Sequence, residues 1–161
     1  MPIKAALPTY AGTAADRPRL YHVAPGGLPV DERAQARQEA TELRATWPFP
    51  GYDEDSPGRA GFNVGLAYGL WAVDPLQADT LASLAYHLTR HTMSVIRTHR
   101  YIVTAALVED RATVSVLALS GRTVEETDPG TNAEVRRLAE KWGGVTLAAG
   151  PCLYAAATVT P

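Results

Sequence analysis

Two histidines on the longest predicted helix have a spacing that could hold a metal ion. His87 and His91 lie four residues apart, so both project from one side of a helix. A metal site needs at least a third ligand, and the nearest acidic residue along that helix, Asp79, is two turns from His87. We therefore interpret the pair as part of a solvated polar face, and we predict neither a metal site nor a cofactor.

Positive charge is concentrated near the end of the same helix. The cluster consists of Arg90, His91, Arg97, His99 and Arg100. Cations at a helix C-terminus complement the helix dipole, and this is the favoured interpretation. The alternative is an anion site for a phosphate, a nucleic-acid backbone or an acidic partner. RNA binding by base stacking on the sheet is not favoured, because the predicted central strands carry no arginine–aromatic signature.

No set of residues predicts a catalytic centre. Cys152 is the only cysteine and follows Gly150-Pro151, a position that favours a buried structural thiol over a nucleophile. The opening Met1-Pro2-Ile3 resembles the start of the tautomerase superfamily, which implies a Pro2 amine acting as a base. The resemblance covers three residues, and Pro8 then interrupts the strand that should continue. The sequence does not predict an enzyme.

Aromatic and small residues supply the candidates for a binding surface. Gly61, Gly65 and Gly69 recur every four residues, which on a strand would flatten one face and admit a ligand or another backbone. No phosphate-loop or dinucleotide-binding fingerprint accompanies these glycines. The ligand or interface candidates are Tyr68, Trp71, Tyr101, Tyr154, Gly65 and Gly69.

The elements that must position these residues follow from periodicity. Alternation predicts a strand over 62–70, and Asp74-Pro75 predicts the start of a helix that runs to about Thr98. Two β-rich runs, Ile102–Val108 and Ala112–Leu119, predict a hairpin, followed by a helix from Thr131 or Asn132 to Trp142 and a strand region over 145–159 that is bent at Gly150-Pro151. This order predicts an α+β fold with a ferredoxin-like βαββαβ core over residues 62–159.

The first third of the chain has a different composition. Residues 1–30 are rich in proline and glycine and predict an extended arm. A surface helix is expected over 31–47, where Leu43 and Trp47 form a narrow apolar stripe, and a loop is expected over 48–61. We expect a single domain over 1–161, with 1–61 as arm, helix and loop and 62–161 as the core.

Both faces of the predicted sheet carry few polar residues, and such a sheet is normally covered on both sides. Two alternatives for what covers the second side of the sheet are equally favoured. The N-terminal segment could fold across the second face with Tyr10, Leu20, Tyr21, Val23, Leu43 and Trp47. Alternatively, a second copy could stack on it face to face, as in dimeric α+β barrels.

Composition limits the class of protein. The chain has 161 residues, a net charge of −2 and one cysteine, which excludes an internal disulfide and a global basic field. We expect a soluble, cytoplasmic protein, since no apolar run is long enough to span a bilayer. Thirteen arginines against two lysines resemble the codon bias of a GC-rich bacterium or its phage.

The sequence therefore favours a non-catalytic binding or assembly protein that acts through an apolar sheet face and the N-terminal arm. Self-association or binding of another protein is expected, as for a phage or bacterial structural component. The alternatives are a small-molecule enzyme or carrier with a pocket over the sheet, and an anion binder that uses the cluster from Arg90 to Arg100.

Overall fold

The structure is a computed structural model that describes residues 42–120 and 128–160. The described residues form five strands, three α-helices and one short 3-10 helix, which begins at Pro129 and ends at Thr131. The strands are β1 (Glu42–Pro50), β2 (Arg100–Val108), β3 (Arg111–Ala118), β4 (Lys141–Leu147) and β5 (Gly150–Thr158). The helices are α1 (Ser56–Leu70), α2 (Pro75–Val95) and α3 (Ala133–Leu138).

The fold is a mixture of helices and one antiparallel sheet, with the strand order β1-β2-β3-β5-β4. The ferredoxin-like βαββαβ topology is not confirmed. Two helices follow β1 in direct succession, and the sheet is completed by the hairpins β2–β3 and β4–β5. Strand order and helix placement both differ from the prediction.

The helices α1 and α2 pack side by side on one face of the sheet and enclose the core there. Helix α1 lies over β1 and β2, and α2 lies over β3 and β5. The sheet contributes alternate residues to this core, such as Trp47, Val103, Val114 and Leu153. Residues of the opposite parity form the face turned away from the helices, which we call the second face.

The predicted strand over 62–70 is wrong, because these residues belong to α1. Bulky residues that occur at every second position also recur at every fourth position. Because four residues are close to one helical turn, the same pattern is compatible with a helix. The buried residues of α1 include Ala60, Val64, Ala67 and Tyr68, a spacing that is helical. Pro57 near the start of the helix is compatible with this assignment.

The predicted helix over 31–47 is wrong where the structure describes it, and the predicted loop over 48–61 is confirmed only for residues 51–55. Residues 42–50 form β1, and α1 already begins at Ser56. Leu43 and Trp47 face the helices, with Trp47 buried in the core, so neither lies across the second face. The arm over 1–30, the remainder of that predicted helix, and Pro2 with its tautomerase resemblance lie outside the described residues.

Local signals in the second half of the chain are partly confirmed. Asp74 caps α2 by accepting hydrogen bonds from the amides of Leu76 and Gln77, and β2 and β3 form the expected hairpin. The helix predicted to end at Trp142 is shorter: Asn132 caps α3, which ends at Leu138, and β4 follows. The final strand region is two strands, with the break at residues 148–149.

Candidate functional site

Helix α1 presents large apolar side chains to solvent on the side turned away from the core. Phe62, Leu66 and Leu70 are exposed to 67%, 51% and 66%. Their spacing of four residues places them along one line on the helix surface. The segment from Gly61 to Trp71 contains no charged residue, so this line is uninterrupted by charge. We call these three residues the α1 stripe.

The opposite side of α1 fixes how the stripe is presented. A methyl group added at Gly61 would lie 2.9 Å from the Ala82 carbonyl oxygen, and one added at Gly65 would lie 2.9 Å from the Ala82 side chain. These two glycines therefore allow α1 and α2 to approach closely. Gly69 has open space at the same position and is exposed. Gly65 thus contacts a helix of its own chain, in contrast to the flat strand face that the sequence predicted.

Acidic residues lie immediately before α1. Glu54 and Asp55 are exposed, and the neighbouring Asp53 accepts a hydrogen bond from Arg59. This bond lowers the pKa of the Asp53 carboxyl below its ordinary value. Arg59 is the only charged residue within α1, and it already pairs with Asp53. The N-terminus of α1, from which the stripe runs, is therefore preceded by an excess of negative charge.

The second face of the sheet is mixed in character. Across the strands, the pairing aligns Thr46, Thr104, Ser115 and Tyr154, and the hydroxyl oxygens of Thr46 and Thr104 lie 3.2 Å apart. Apolar residues such as Ile102 and Leu117 form the next row. This row of hydroxyl groups crosses a face that the sequence predicted to carry few polar residues. No segment covering this face is identified within residues 42–120 and 128–160.

The predicted aromatic candidates do not meet in one place. Tyr68 is fully buried, and its hydroxyl lies 2.9 Å from the Ala106 carbonyl oxygen and 2.8 Å from that of Thr113, to which it donates. Trp71 contacts the Tyr68 ring edge-on at the end of α1. Tyr101 is buried and donates to the Ile96 carbonyl. These three belong to the helix side.

Tyr154 lies on the other side of the sheet, where its ring covers Gly143 on the neighbouring strand: a methyl group added there would lie 2.9 Å from the ring carbon Cζ. Cys152 is on the same face, and burial raises the pKa of its thiol. A buried thiol with a raised pKa is a poor nucleophile. Tyr154 is therefore separated by the sheet from the three other aromatic candidates.

The positive cluster is spread over the junction between α2 and β2. Arg90 is exposed one turn before the helix ends, Arg97 and His99 are exposed in the connection, and Arg100 begins β2. Helix α2 ends at Val95, and its last turn contains no basic residue. Arg97, His99 and Arg100 therefore lie beyond the helix, in the connection to β2 and at its start.

The two α2 histidines face different acidic residues. His87 Nε2 lies 4.0 Å from a Glu134 carboxylate oxygen of α3. Burial lowers the pKa of the His91 imidazole, against a smaller opposing effect of the backbone and charge of Asp128. His91 Nε2 is buried without a hydrogen-bond partner. Among the described residues, no three histidine, cysteine or acidic side chains are grouped as metal ligands would be.

A shallow cavity of about 420 Å³ lies beside the start of α2 and the end of the chain. Its lining residues are Ala72, Val73, Asp74, Pro75, Gln77 and Thr160. The polar groups there are already engaged: Asp74 caps α2, and the Gln77 side-chain oxygen accepts a hydrogen bond of 2.7 Å from the Thr160 amide. The cavity therefore offers no free polar group from these two side chains to orient a small molecule.

No protein-family model matches the chain, and no curated protein sequence is recognisably related to it. In the part of the chain that the structure describes, none of the helices has the length and apolar character needed to cross a bilayer.

The α1 stripe is hidden in the sequence, because alternation of bulky and small residues predicts a strand over these positions. The signal was present in the glycines at 61, 65 and 69 and the bulky residues at 62, 66 and 70, since both sets repeat every four residues. On a helix, such repeats place the small residues on one side and the bulky residues on another.

Proposed function

We propose that this protein is a non-catalytic binding or assembly protein that docks a partner protein on the α1 stripe. The observation that carries the proposal is the exposure of Phe62, Leu66 and Leu70 along a charge-free stretch of helix. Contiguous exposed apolar surface with a polar rim is typical of protein-binding sites. Single exposed apolar residues are common, but three in a line along a helix form one elongated apolar surface.

Covering the stripe contributes favourably to the free energy of binding a partner. Complete burial of a leucine or phenylalanine side chain stabilises by roughly 1.5–3 kcal/mol. Because half to two-thirds of each stripe residue is exposed, covering all three contributes about 3–5 kcal/mol. Further contacts would add to this, and the cost of association would reduce it.

The charge beside the stripe specifies the chemistry of the partner. Glu54 and Asp55 are exposed where α1 begins, and Arg59 is already paired. A partner helix with an apolar face and lysine or arginine at one end would match both features. Its apolar side chains would pack along α1 as one helix packs on another, and its basic end would lie beside the acidic residues.

A synthetic amphipathic peptide tests this proposal. The probe is an 18-residue helix with leucines on one face and lysines at the end that would meet Glu54 and Asp55. We expect calorimetry to detect saturable one-to-one binding to the full chain. Leu66→Lys should weaken this binding at least tenfold, because a buried ammonium group would interrupt the stripe.

Leu76→Lys is the matched control. Leu76 is 77% exposed, but it lies in the first turn of α2 and outside the stripe. This variant should bind the peptide as the wild type does. Equal binding by Leu66→Lys and the wild type would contradict the proposal, and so would equal binding of a second peptide with glutamates in place of its lysines.

Binding through the second face of the sheet together with the N-terminal arm stays a prediction. The mixed row of hydroxyl and apolar groups on that face supports it less directly than the α1 stripe supports docking on the helix. The enzyme or carrier alternative and the anion-binding alternative have no comparable support, because the aromatic candidates are divided between the two sides of the sheet and the cations are spread along the α2–β2 junction.

A further inference from the structure

The two edge strands of the described sheet differ in how they present their backbone. The Gly51 amide donates to the His99 carbonyl, so odd-numbered residues of β1 direct their backbone groups towards β2. The backbone amide and carbonyl groups of even-numbered residues of β1 therefore point away from the sheet. Two of these residues, Pro48 and Pro50, have no amide proton, and proline at such positions is a common protection of an edge strand.

The opposite edge, β4, lacks this protection. Thr146 pairs with Pro151, which has no amide proton, so this pair cannot exchange two hydrogen bonds. Because antiparallel pairs alternate, the backbone groups of Trp142, Gly144 and Thr146 point away from β5. Strand β4 contains no proline, and it is the outermost strand within residues 42–120 and 128–160. It therefore offers three outward amides and three outward carbonyls.

We propose that β4 pairs in antiparallel orientation with β4 of a second copy of this chain, about a two-fold axis at Gly144. In this arrangement the outward residues of the two strands match each other. Gly144 lies opposite Gly144 of the second copy, and Trp142 lies opposite Thr146 of the second copy. Three such pairs form six backbone hydrogen bonds and join the two five-stranded sheets. A closed two-fold contact of this kind stops at the dimer.

The side chains of β4 suit a second copy. Gly143 and Gly144 bring no side chain to the centre of the contact, and Gly144 and Val145 are exposed. Val145 would oppose Gly143 of the other copy and meet the Tyr154 ring that covers it. This pairing covers Val145 and Leu147, which are 48% and 47% exposed.

The charges on β4 also permit self-pairing. Lys141 is the only charged residue of the strand and lies at one end. In the two-fold arrangement it opposes Leu147, and six residues separate it from the other copy's lysine, a distance of about 20 Å. The contact therefore brings no like charges together and buries no isolated charge.

This surface is independent of the α1 stripe. Helix α1 lies over β1 and β2, whereas β4 is at the opposite edge of the sheet. A β4-paired dimer would therefore leave both α1 stripes accessible and could bind two partner helices at once. Because the contact is one strand wide, we expect dissociation on the order of micromolar.

Sedimentation equilibrium of the full chain tests the inference. The wild type should reach twice the chain mass of 17.2 kDa at tens of micromolar. Thr146→Pro should remain at the single-chain mass, because it removes one outward amide and its ring obstructs the approach. Thr146→Ala keeps that amide and should dimerise. Val145→Glu should also dissociate the dimer by placing two carboxylates near the axis, and it supplies the test if the proline variant fails to fold.

Amide hydrogen exchange locates the contact. The amides of Trp142, Gly144 and Thr146 should exchange slowly at high concentration and at least tenfold faster on dilution. A wild-type chain that stays monomeric would overturn the inference, as would a folded Thr146→Pro or Val145→Glu variant that still dimerises. Loss of the dimer in Leu66→Lys would place self-association on α1 and would also overturn it. Peptide binding by Thr146→Pro reports separately on the proposed function.

Discussion

Two glycines of α1 show how much of this fold depends on single atoms. Gly61 and Gly65 lie against Ala82 of α2 at distances that a methyl group could not occupy without displacement. The four-residue repeat of glycines was visible in the sequence, but its meaning depended on the type of element. On a strand it would have flattened a face, whereas on a helix it sets the distance to a neighbouring helix.

Gly65→Ala should lower the free energy of unfolding by about 1 kcal/mol. Overpacking costs roughly 1–3 kcal/mol, and the better helix propensity of alanine returns about 1 kcal/mol. Gly69→Ala is the matched control, since nothing lies within 4 Å of its added methyl group. It should raise stability by about 0.5 kcal/mol. Urea denaturation measures both, and equal effects of the two variants would contradict the packing described here.

Tyr68 is the residue whose role changed most between sequence and structure. The sequence made it a candidate for a ligand site, but its hydroxyl donates to backbone carbonyls of β2 and β3 from a fully buried position. Periodicity could not distinguish these roles, because it does not report which strands lie beneath a side chain.

Burial raises the pKa of the Tyr68 hydroxyl, and this has a consequence at alkaline pH. Above about pH 10 the unfolded chain loses this proton while the folded chain retains it, so stability falls as the pH rises. Tyr68→Phe should reduce that slope by up to about 1.4 kcal/mol per pH unit and lower stability at pH 7 by about 1 kcal/mol.

Denaturation between pH 9 and 11.5 measures this slope. Tyr52→Phe is the control, since Tyr52 is 86% exposed and remains in solvent in both states. If Tyr68→Phe and the wild type had the same alkaline slope, the buried position of this hydroxyl would be wrong.

At the scale of elements, boundaries with a chemical signal were predictable and those that depend on a neighbour were not. Asp74-Pro75 marks the start of α2, because an acidic cap followed by proline is a local signal. The β2–β3 hairpin follows from two β-rich runs with a short link. By contrast, α1 was assigned to a strand, because a period of two and a period of four coincide in its bulky residues.

The turn between α1 and α2 stores strain that a single substitution should relieve. Ala72 has a φ of 64°, in the left-handed region that costs a residue with a side chain roughly 1 kcal/mol. Ala72 is exposed, so it contributes little packing. Ala72→Gly should therefore raise the free energy of unfolding by about 0.5–1 kcal/mol in thermal denaturation. Ala148→Gly, at an exposed turn without positive φ, should give no gain, and a similar gain there would refute the explanation.

At the scale of the whole molecule, the sequence predicted the mixed α+β class but not the topology. The order of strands depends on which hydrophobic faces meet, and that information is distributed along the chain. The misassigned α1 also concealed the stripe, because exposure of Phe62, Leu66 and Leu70 is a property of the packed helix pair. Helix α1 lies over β1 and β2, whereas β4 forms the opposite edge of the sheet, so partner binding and self-pairing do not compete.

Docking on the α1 stripe is tested most directly by nuclear magnetic resonance of the isotope-labelled full chain during titration with the lysine-flanked amphipathic peptide. The account predicts that the largest shifts fall on amides from Glu54 to Leu70, follow the exposed side of α1, and disappear in Leu66→Lys. Shifts centred on the second face of the sheet or on the residues from Arg90 to Arg100, or no saturable shifts at all, would contradict it.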